Sequence, residues 1–266
     1  MTDVWASGDA YEPYIGRWSR RVARKFLQWL AVPSGRRWLD VGCGTGALTT
    51  AILASHAPSH VLAVDASPAY VDWARTHLAD PRARFEVADA AQLPGAAVDV
   101  AVSALVLNFV PDPATVVRAM GDAAAGGTVG AYVWDYAGRM ELIRYFWDAA
   151  IALDASAAPL DEGVRFSLCR PDRLAALWTE AGFAGVDVRA IDVATVFADF
   201  EDYWTPFLGG QGPAPGYAMA LDEDRRGALR DRVKARLPVA ADGSISLVAR
   251  AWAVRGRAPG RHPGAG

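Results

Sequence analysis

The sequence is poor in the residues that build metal sites and disulfide frameworks. Its 266 residues include two cysteines and four histidines, and neither Cys43 nor Cys169 belongs to a CxxC motif or a Cys/His cluster. We therefore expect no metal site and no disulfide scaffold. So few cysteines also fit a reducing compartment, so we expect a cytoplasmic location.

Long hydrophobic runs and an excess of positive charge are also lacking. No stretch approaches 18 uninterrupted apolar residues, and the opening MTDVWASGDAYEPY has no basic region followed by an apolar one, so we expect neither a membrane span nor a secretory signal. Lys and Arg together number 27 against 30 Asp and Glu, a net charge of −3. This balance offers no basic footprint for a nucleic acid.

The composition is that of a large globular domain. Apolar residues make up 52% of the chain and the mean hydropathy is +0.10, enough to build a sizeable core. Ten tryptophans are the unusual feature. Their positions bear on the functional site, as described below.

The first half of the chain alternates between short apolar strands and amphipathic helices. Apolar residues at helical spacing predict a helix over 17–32, which ends at Pro33-Ser34-Gly35. Strands are predicted over 36–41, 60–65, 84–89, 98–104 and 128–134, with helices at about 47–54, 67–78 and 112–124. This alternation predicts an α/β fold with a doubly wound parallel sheet.

The second half is less regular. Helices are predicted at about 138–153, 171–181 and 219–236, strands at about 185–197 and 244–254, and an irregular Gly/Pro segment over 206–216. We therefore divide the chain into N-terminal cap helices over 1–35, a main domain over 36–255 and a disordered Gly/Pro tail over 256–266. Elaborations on the substrate side are expected at about 136–170 and 198–240.

A glycine-rich loop follows the first predicted strand, in the sequence LDVGCGTG at 39–46. Glycines permit a tight turn and a close approach to a ligand, and the helix that follows offers free N–H groups. Asp40, Asp65 and Asp89 lie at the ends of three neighbouring strands, at the edge where such sheets bind ligands. A carboxylate at Asp65 suits the two hydroxyls of a ribose, and one at Asp89 suits the exocyclic amine of a base.

LDVGCGTG, followed by VDAS and ADAAQLP, resembles the class I S-adenosylmethionine-dependent methyltransferases, in particular the small-molecule branch that includes the ubiquinone and menaquinone biosynthesis enzymes. The resemblance implies a seven-stranded Rossmann-like sheet of order 3-2-1-4-5-7-6 with the last strand antiparallel. It also implies S-adenosylmethionine as the cofactor. The implied contacts are Asp40, Gly42, Gly44 and Gly46 with the methionine part, Asp65 with the ribose, Ala66, Asp89 and Ala90 with the adenine, and Ser103 and Leu105 near the methionyl part.

A nicotinamide-binding domain is the main competitor for this loop. Its fingerprint is GxGxxG, whereas this loop is GxGxG with Asp40 two residues before it. A pyrophosphate beside that carboxylate would be repelled, whereas the amino group of methionine would be attracted. The sequence therefore favours the methyltransferase interpretation.

The N-terminal segment and several aromatic residues are candidates for closing the site. Tyr14 is a candidate for the sulfonium, and Arg17 or Arg20 for the methionine carboxylate. Trp18 either contacts the cofactor or staples the first helix to the sheet. Further candidates for an aromatic acceptor pocket are Tyr11, Trp134, Tyr136, Trp204 and Phe207, and the loop carrying Gln211 is either a lid or a simple connection.

Methyl transfer needs little more than positioning, so a general base is optional. None of the histidines is placed to serve as a base. The remaining candidates for a base or orienting group are Asp135, Tyr136, Asn108, Tyr14 and Glu12, although Asp135 also suits a turn and Asn108 a helix cap.

We therefore expect a metal-independent enzyme, monomeric or homodimeric, that methylates O, N or C of a small aromatic or heteroaromatic acceptor. Two alternatives remain open, because both also need the cofactor. One is other S-adenosylmethionine chemistry on the same fold, such as cyclisation or decarboxylation, and the other is a cofactor-binding protein without turnover.

Overall fold

The computed structural model describes residues 12–93, 95, 97–210 and 212–260. It contains a seven-stranded mixed sheet of order β3-β2-β1-β4-β5-β7-β6, as predicted. The strands are β1 (Arg37–Val41), β2 (His60–Asp65), β3 (Ala83–Val87), β4 (Val100–Ala104), β5 (Thr128–Trp134), β6 (Ala184–Phe197) and β7 (Ile245–Arg257).

Parallel pairing brings the carboxyl ends of the central strands to one edge. In the register of β1 with its two neighbours, Val41 lies opposite Val64 of β2 and Ser103 of β4. β7 runs antiparallel to β5, since Ala258 N donates to Gly127 O near one end and Asp135 N donates to Arg250 O near the other. The residues that follow β1, β2 and β4 are therefore neighbours.

The helices are α1 (Arg17–Leu30), α2 (Ala47–His56), α3 (Pro68–His77), α4 (Pro113–Ala123), α5 (Glu141–Leu153), α6 (Glu162–Arg165), α7 (Pro171–Glu180), α8 (Phe200–Trp204), α9 (Pro213–Ala220) and α10 (Glu223–Arg236). A π-helical turn precedes α1 over Glu12–Gly16, and 3₁₀ turns cover Ala155–Leu160 and Thr205–Gly209. Side-chain caps begin several helices as their sequences predict. Ser67 Oγ accepts from Tyr70 N ahead of α3, and Asp112 Oδ1 accepts from Thr115 N at α4.

The chain forms two compact units. The glycine-loop unit comprises Ser19–Val133, Arg170–Ile191 and the chain from Trp252 to the last described residue. The aromatic unit comprises the described chain up to Trp18, Trp134–Cys169 and Asp192–Ala251.

In the glycine-loop unit, α1 packs on the sheet across a glycine of β5. A Cβ on Gly130 would lie 2.9 Å from Leu30 Cδ2 and 3.2 Å from Phe26 Cζ. The Phe26 ring meets the Tyr132 ring edge-on at 5.0 Å. Gly130 thus permits the close approach that buries the apolar face of α1.

In the aromatic unit, rings from α5, α8 and the following 3₁₀ turn form much of the interior. Phe146 stacks on Phe207 with ring centroids 4.7 Å apart, and Tyr203 donates through its hydroxyl to Leu142 O at 2.8 Å. Phe200 and Trp204 stack at 6.2 Å. These aromatic contacts account for much of the surplus of large rings in the composition.

Two segments differ from the sequence prediction. The stretch 206–216, predicted as irregular, contributes to the 3₁₀ turn over Thr205–Gly209 and to α9, and Gln211 lies outside the described residues. The start of the predicted disordered tail is ordered, because β7 runs to Arg257 and Gly126 N donates to Pro259 O at 2.9 Å. Hydrogen bonds to the backbone of Gly126 and Gly127, which local composition does not predict, hold these residues in place.

Candidate functional site

The glycine loop turns sharply between β1 and α2. Gly42, Gly44 and Gly46 all have positive φ, at +72°, +52° and +81°. A Cβ on Gly42 would lie 2.3 Å from Val106 Cγ2, so a larger residue does not fit there. A Cβ on Gly44 would meet nothing within 4 Å, which leaves open space beside the loop backbone. Gly44 therefore provides the kind of cradle that a closely approaching ligand needs.

Asp40 carries an unsatisfied carboxylate oxygen at this loop. Its side chain is fully buried, and Oδ2 accepts from Thr49 Oγ1 at 2.6 Å. Oδ1 is buried and has no hydrogen-bond partner among the described residues. Burial is the main cause that raises the pKa of Asp40 to about 7, and the bond from Thr49 opposes it. A cation reaching Oδ1 would satisfy an atom that the chain itself leaves without a partner.

Asp65 joins the loop to the end of β2. Its Oδ2 accepts from Gly44 N at 2.9 Å, and its Oδ1 accepts from Ser67 N at 2.8 Å. The side chain is half-buried, so it both braces the loop and remains accessible. Ala66, the next residue, is exposed beside it.

Asp89 and Ala90 lie beyond the end of β3, which finishes at Val87 and not at Asp89 as predicted. Asp89 is exposed, and its Oδ1 accepts from Ala91 N at 2.8 Å in a turn of its own. That turn fixes the direction of the side chain and leaves Oδ2 for another donor.

The segment after β4 contributes a strained residue and an unpaired amide. Ser103 is buried, and its hydroxyl donates to Val41 O at 2.9 Å, which ties β4 to β1. Leu105 has a positive φ of +62°, a costly conformation for a leucine that places it on a turn. Asn108 Nδ2 is buried without a partner among the described residues, whereas Asp112 caps α4. Asn108 is therefore not the cap of that helix, and its amide is free to bind a ligand.

The N-terminal candidates lie in the aromatic unit. Tyr14 is 3% exposed, and its ring meets the ring of Phe207 edge-on at 5.4 Å. Arg17 donates through Nη1 to Asp202 Oδ1 at 2.8 Å, and Trp18 packs on Phe197 at 5.3 Å. The Arg17 guanidinium is thus already engaged, and the packing of Trp18 favours the stapling role. Tyr11 lies outside the described residues, as does the side chain of Glu12.

Asp135 and Tyr136 follow β5 as predicted, but Asp135 closes a turn. Its Oδ2 accepts from Arg139 N at 2.9 Å, and a Cβ on Gly138 would lie 2.5 Å from that oxygen. This geometry favours the turn-forming alternative for Asp135. Tyr136 is buried and its ring lies 5.4 Å from that of Phe166. Trp134 is buried as well, and its Nε1 has no partner among the described residues.

Sequence reasoning missed Glu162, a buried acid at the start of α6. It is 2% exposed, and Trp147 Nε1 donates to its Oε2. Burial is the main cause that raises its pKa to about 7. The local sequence LDEGVR is as polar as many exposed turns, so only the tertiary structure reveals the burial.

One cleft does not coincide with these residues. A cavity of about 660 Å³ in the glycine-loop unit lies at the amino ends of β1, β4 and β5, lined by Arg36, Arg37 and Asp99 among others. It contains none of the motif residues. The described part of the chain has no helix long and apolar enough to cross a membrane, and no cluster of His, Cys, Asp and Glu there suits a metal ion.

Comparisons with known proteins agree with this arrangement. Residues 39–126 match a family model described as a methyltransferase domain. A trans-aconitate 2-methyltransferase of Delftia acidovorans is 29% identical over 241 residues, covering 84% of this chain and 87% of that protein. A protein of the same name from Methylobacterium radiotolerans is 36% identical over 117 residues, covering 43% of this chain and 44% of that relative.

Solved structures share the fold at low sequence identity. A Bacillus halodurans protein described as a methyltransferase superposes with a TM-score of 0.59 at 16% identity, covering 89% of this chain and 98% of that one. A Haemonchus contortus phosphoethanolamine N-methyltransferase 2 superposes with a TM-score of 0.58 at 15% identity, covering 94% and 56%. Residues 39–126 are similar to a methyltransferase domain, both relatives are methyltransferases and the solved structures share the fold, and together with the sheet order and the glycine loop these findings support a class I methyltransferase with S-adenosylmethionine as its cofactor.

Proposed function

We propose that this protein transfers a methyl group from S-adenosylmethionine to O, N or C of a small aromatic or heteroaromatic acceptor, without a metal. The cofactor supplies an electrophilic methyl group on a positively charged sulfur. Every other requirement falls on the chain: to bind the cofactor, to orient the acceptor and to exclude water.

The observation that carries the proposal is the unsatisfied Oδ1 of buried Asp40 beside the open space at Gly44. A buried carboxylate oxygen without a donor is unfavourable unless a ligand supplies one, and the ammonium of a methionine moiety does so. Asp65 suits the ribose hydroxyls, because its half-buried carboxylate braces the loop and remains accessible. The side chain of Asp89 suits an adenine amine, with Ala66 and Ala90 beside the ring.

Ser103 and Leu105 have a supporting role in this proposal. The Ser103 hydroxyl is occupied by Val41 O, so it shapes the end of β4 and does not donate to the methionyl group. The strained turn at Leu105 directs the following segment, where Asn108 presents its unpartnered amide. We assign Asn108 a contact to the cofactor or the acceptor.

The aromatic unit offers buried aromatic rings. Tyr14 and Tyr136 are buried among aromatic rings, which suits an aromatic acceptor. Arg17 pairs with Asp202, and its guanidinium lies 4.4 Å from the centre of the Trp18 ring. These contacts fix the start of α1. We propose a cytoplasmic location, because both cysteines are buried free thiols, and a monomeric or homodimeric state.

A second candidate acceptor is trans-aconitate, favoured by the names of the two curated relatives. It is a tricarboxylate, and its recognition would require several cations. Release of S-adenosylhomocysteine in the presence of phenols, quinols, azoles or trans-aconitate distinguishes the classes. Cofactor binding without release from any acceptor would contradict the proposed methyl transfer and favour a cyclase or a protein without turnover.

A further inference from the structure

The cavity at the amino ends of β1, β4 and β5 has a strongly basic lining. Its volume is about 660 Å³, and its charged residues are four arginines and one aspartate, in a chain whose net charge is −3. The arginines are Arg36, Arg37, Arg255 and Arg257, and the aspartate is Asp99, all within the glycine-loop unit. Positive charge is concentrated here against the overall balance of the chain, which favours an anionic ligand.

Two of these arginines are already engaged by the protein. Arg37 donates to both carboxylate oxygens of Asp99, through Nε at 3.2 Å and through Nη2 at 3.0 Å. Arg255 donates through Nη1 to Trp29 O at 2.5 Å and through Nη2 to Asp187 Oδ2 at 3.2 Å. The charge of Asp99 is therefore neutralised within the wall, and these two guanidiniums hold the wall in place.

The other two arginines are available to a ligand. Arg36 and Arg257 are exposed where they line the cavity, and neither forms an ion pair or a side-chain hydrogen bond within the described part of the chain. The pKa of Asp99 is lowered, mainly by hydrogen bonds from Arg37, with a smaller contribution from the charge of Arg36. Two available guanidiniums on one cavity suit a ligand with two negative charges, because a guanidinium binds carboxylate and phosphate oxygens well.

The rest of the wall is largely apolar. Leu30, Val32, Val98 and Val100 are among the residues that line it. Gly185, also in the wall, has a φ of +61°, and an added Cβ there would meet nothing within 4 Å. The cavity is much larger than a single phosphate or carboxylate group, so its ligand should have an apolar part beside its charges.

This cavity and the glycine loop lie at opposite ends of β1. Arg37 begins the strand, and Val41 ends it just before the loop. Four steps of about 3.3 Å along the strand separate these two residues by about 13 Å. A ligand in the cavity would therefore leave the glycine loop open to the cofactor.

We propose that this cavity binds a small organic dianion, either a phosphate monoester or a dicarboxylate. Its anionic oxygens contact Arg36 and Arg257, and its apolar part lies against the neighbouring valines. This binding site is additional to the cofactor site and does not depend on the methyl transfer proposed above.

Isothermal titration calorimetry tests the site with phenyl phosphate and glutarate, which are both dianions at pH 7.5. The full-length protein is titrated with each probe, alone and after saturation with S-adenosylhomocysteine. At least one probe should bind once per chain with a Kd of about 1 mM or lower in both conditions. The probe that binds more tightly identifies the preferred anionic group. Inorganic phosphate, which has no apolar part, should bind more weakly than phenyl phosphate.

Three variants locate the site. Arg36→Gln and Arg257→Gln should each weaken binding of the probe by about tenfold, because each removes a charged hydrogen-bond donor. Arg173→Gln is the matched control, since Arg173 is an exposed arginine of α7 in the same unit that does not line this cavity, and it should leave the affinity unchanged. All three side chains are exposed, so the variants should fold like the wild type, as checked by thermal unfolding.

Several results would overturn the inference. Absence of binding by both probes would do so, as would an equal loss of affinity in Arg36→Gln, Arg257→Gln and Arg173→Gln. Loss of probe binding after saturation with S-adenosylhomocysteine would place the anion at the glycine loop instead of in this cavity. Inorganic phosphate that binds as tightly as phenyl phosphate would refute the apolar contact.

The titration also separates this inference from the proposed function. Failure of every methyl acceptor would contradict methyl transfer. Binding of a probe by the wild type, weakened in Arg36→Gln and Arg257→Gln, would still support the anion site in that case.

Discussion

We expect the buried carboxyl of Asp40 to make cofactor binding depend on pH. Burial raises its pKa from 3.8 to about 7 despite the bond from Thr49. Since one pKa unit corresponds to about 1.4 kcal/mol, the apolar surroundings disfavour the ionised form by about 4 kcal/mol. An ammonium group placed at the free Oδ1 favours the ionised form and lowers the pKa again. Ligand binding should therefore expel the proton that Asp40 holds below pH 7.

S-adenosylhomocysteine carries this amino group and is the ligand for the measurement. By linkage, its affinity should rise about tenfold per pH unit between pH 5 and 7 and level off near pH 8. Calorimetry at pH 5, 6, 7 and 8, in two buffers that differ in ionisation enthalpy, measures both the affinity and the released proton. About one proton should be released at pH 5 and about half a proton at pH 7.

Two variants make this test specific. Asp40→Asn should abolish the pH dependence and weaken binding at pH 8 by about 10- to 100-fold, because it removes a buried charge pair. Asp89→Asn, at an exposed carboxylate of the same edge, should weaken binding but keep the pH dependence. A wild-type affinity that is constant from pH 5 to 8, or a slope that survives in Asp40→Asn, would refute the assignment of Asp40 to the amino group.

Three further predictions concern the glycine loop, the Arg144–Asp161 ion pair and the buried carboxyl of Glu162. Gly44→Ala should weaken S-adenosylhomocysteine binding at least tenfold, because the added methyl group enters the open space beside the loop. Gly35→Ala is the control, since Gly35 also has a positive φ and nothing within 4 Å of an added Cβ, so it should lower the stability of the fold by a similar amount and leave the affinity unchanged. Equal affinities of the two variants in calorimetry would contradict the role of Gly44 as a cradle. Arg144→Met should destabilise the fold by about 3–5 kcal/mol in urea unfolding, because it leaves the carboxylate of Asp161 buried without its partner. The folded-state pKa of Glu162 is raised from 4.5 to about 7, so the free energy of unfolding of the wild type should fall as pH rises through that range. Glu162→Gln should remove about 3 kcal/mol of that fall, as measured by urea unfolding at pH 4.5 and pH 8.

Local sequence patterns were enough to predict the sheet and the cofactor edge. Apolar strands that alternate with helices dictate a parallel sheet, and parallel strands bring their carboxyl ends to one edge whatever the rest of the chain does. Asp40, Asp65 and the glycines at 42, 44 and 46 could therefore be located from the sequence. Their positions follow from short-range geometry, because each residue lies within a few positions of a strand end.

The surroundings of the remaining candidate residues depend on contacts between residues far apart in the chain. Arg17 donates a hydrogen bond to Asp202, 185 positions away, and nothing in the sequence around either residue predicts this pair. Asp135 follows β5 as expected, yet the turn through Gly138 engages its carboxylate. The burial of Glu162 beside Trp147 comes from the packing of α6 in the aromatic unit.

The sequence by itself thus determined the fold class and the position of the glycine-loop edge, because those follow from periodicity and from chain direction, and its resemblance to the class I methyltransferases implied the strand order. The tertiary structure decided which polar groups are buried, paired or left without a partner. Desolvation depends on every neighbour in space, and the groups that act on Tyr14, namely Tyr136, Glu162 and Tyr203, are all distant from it in sequence.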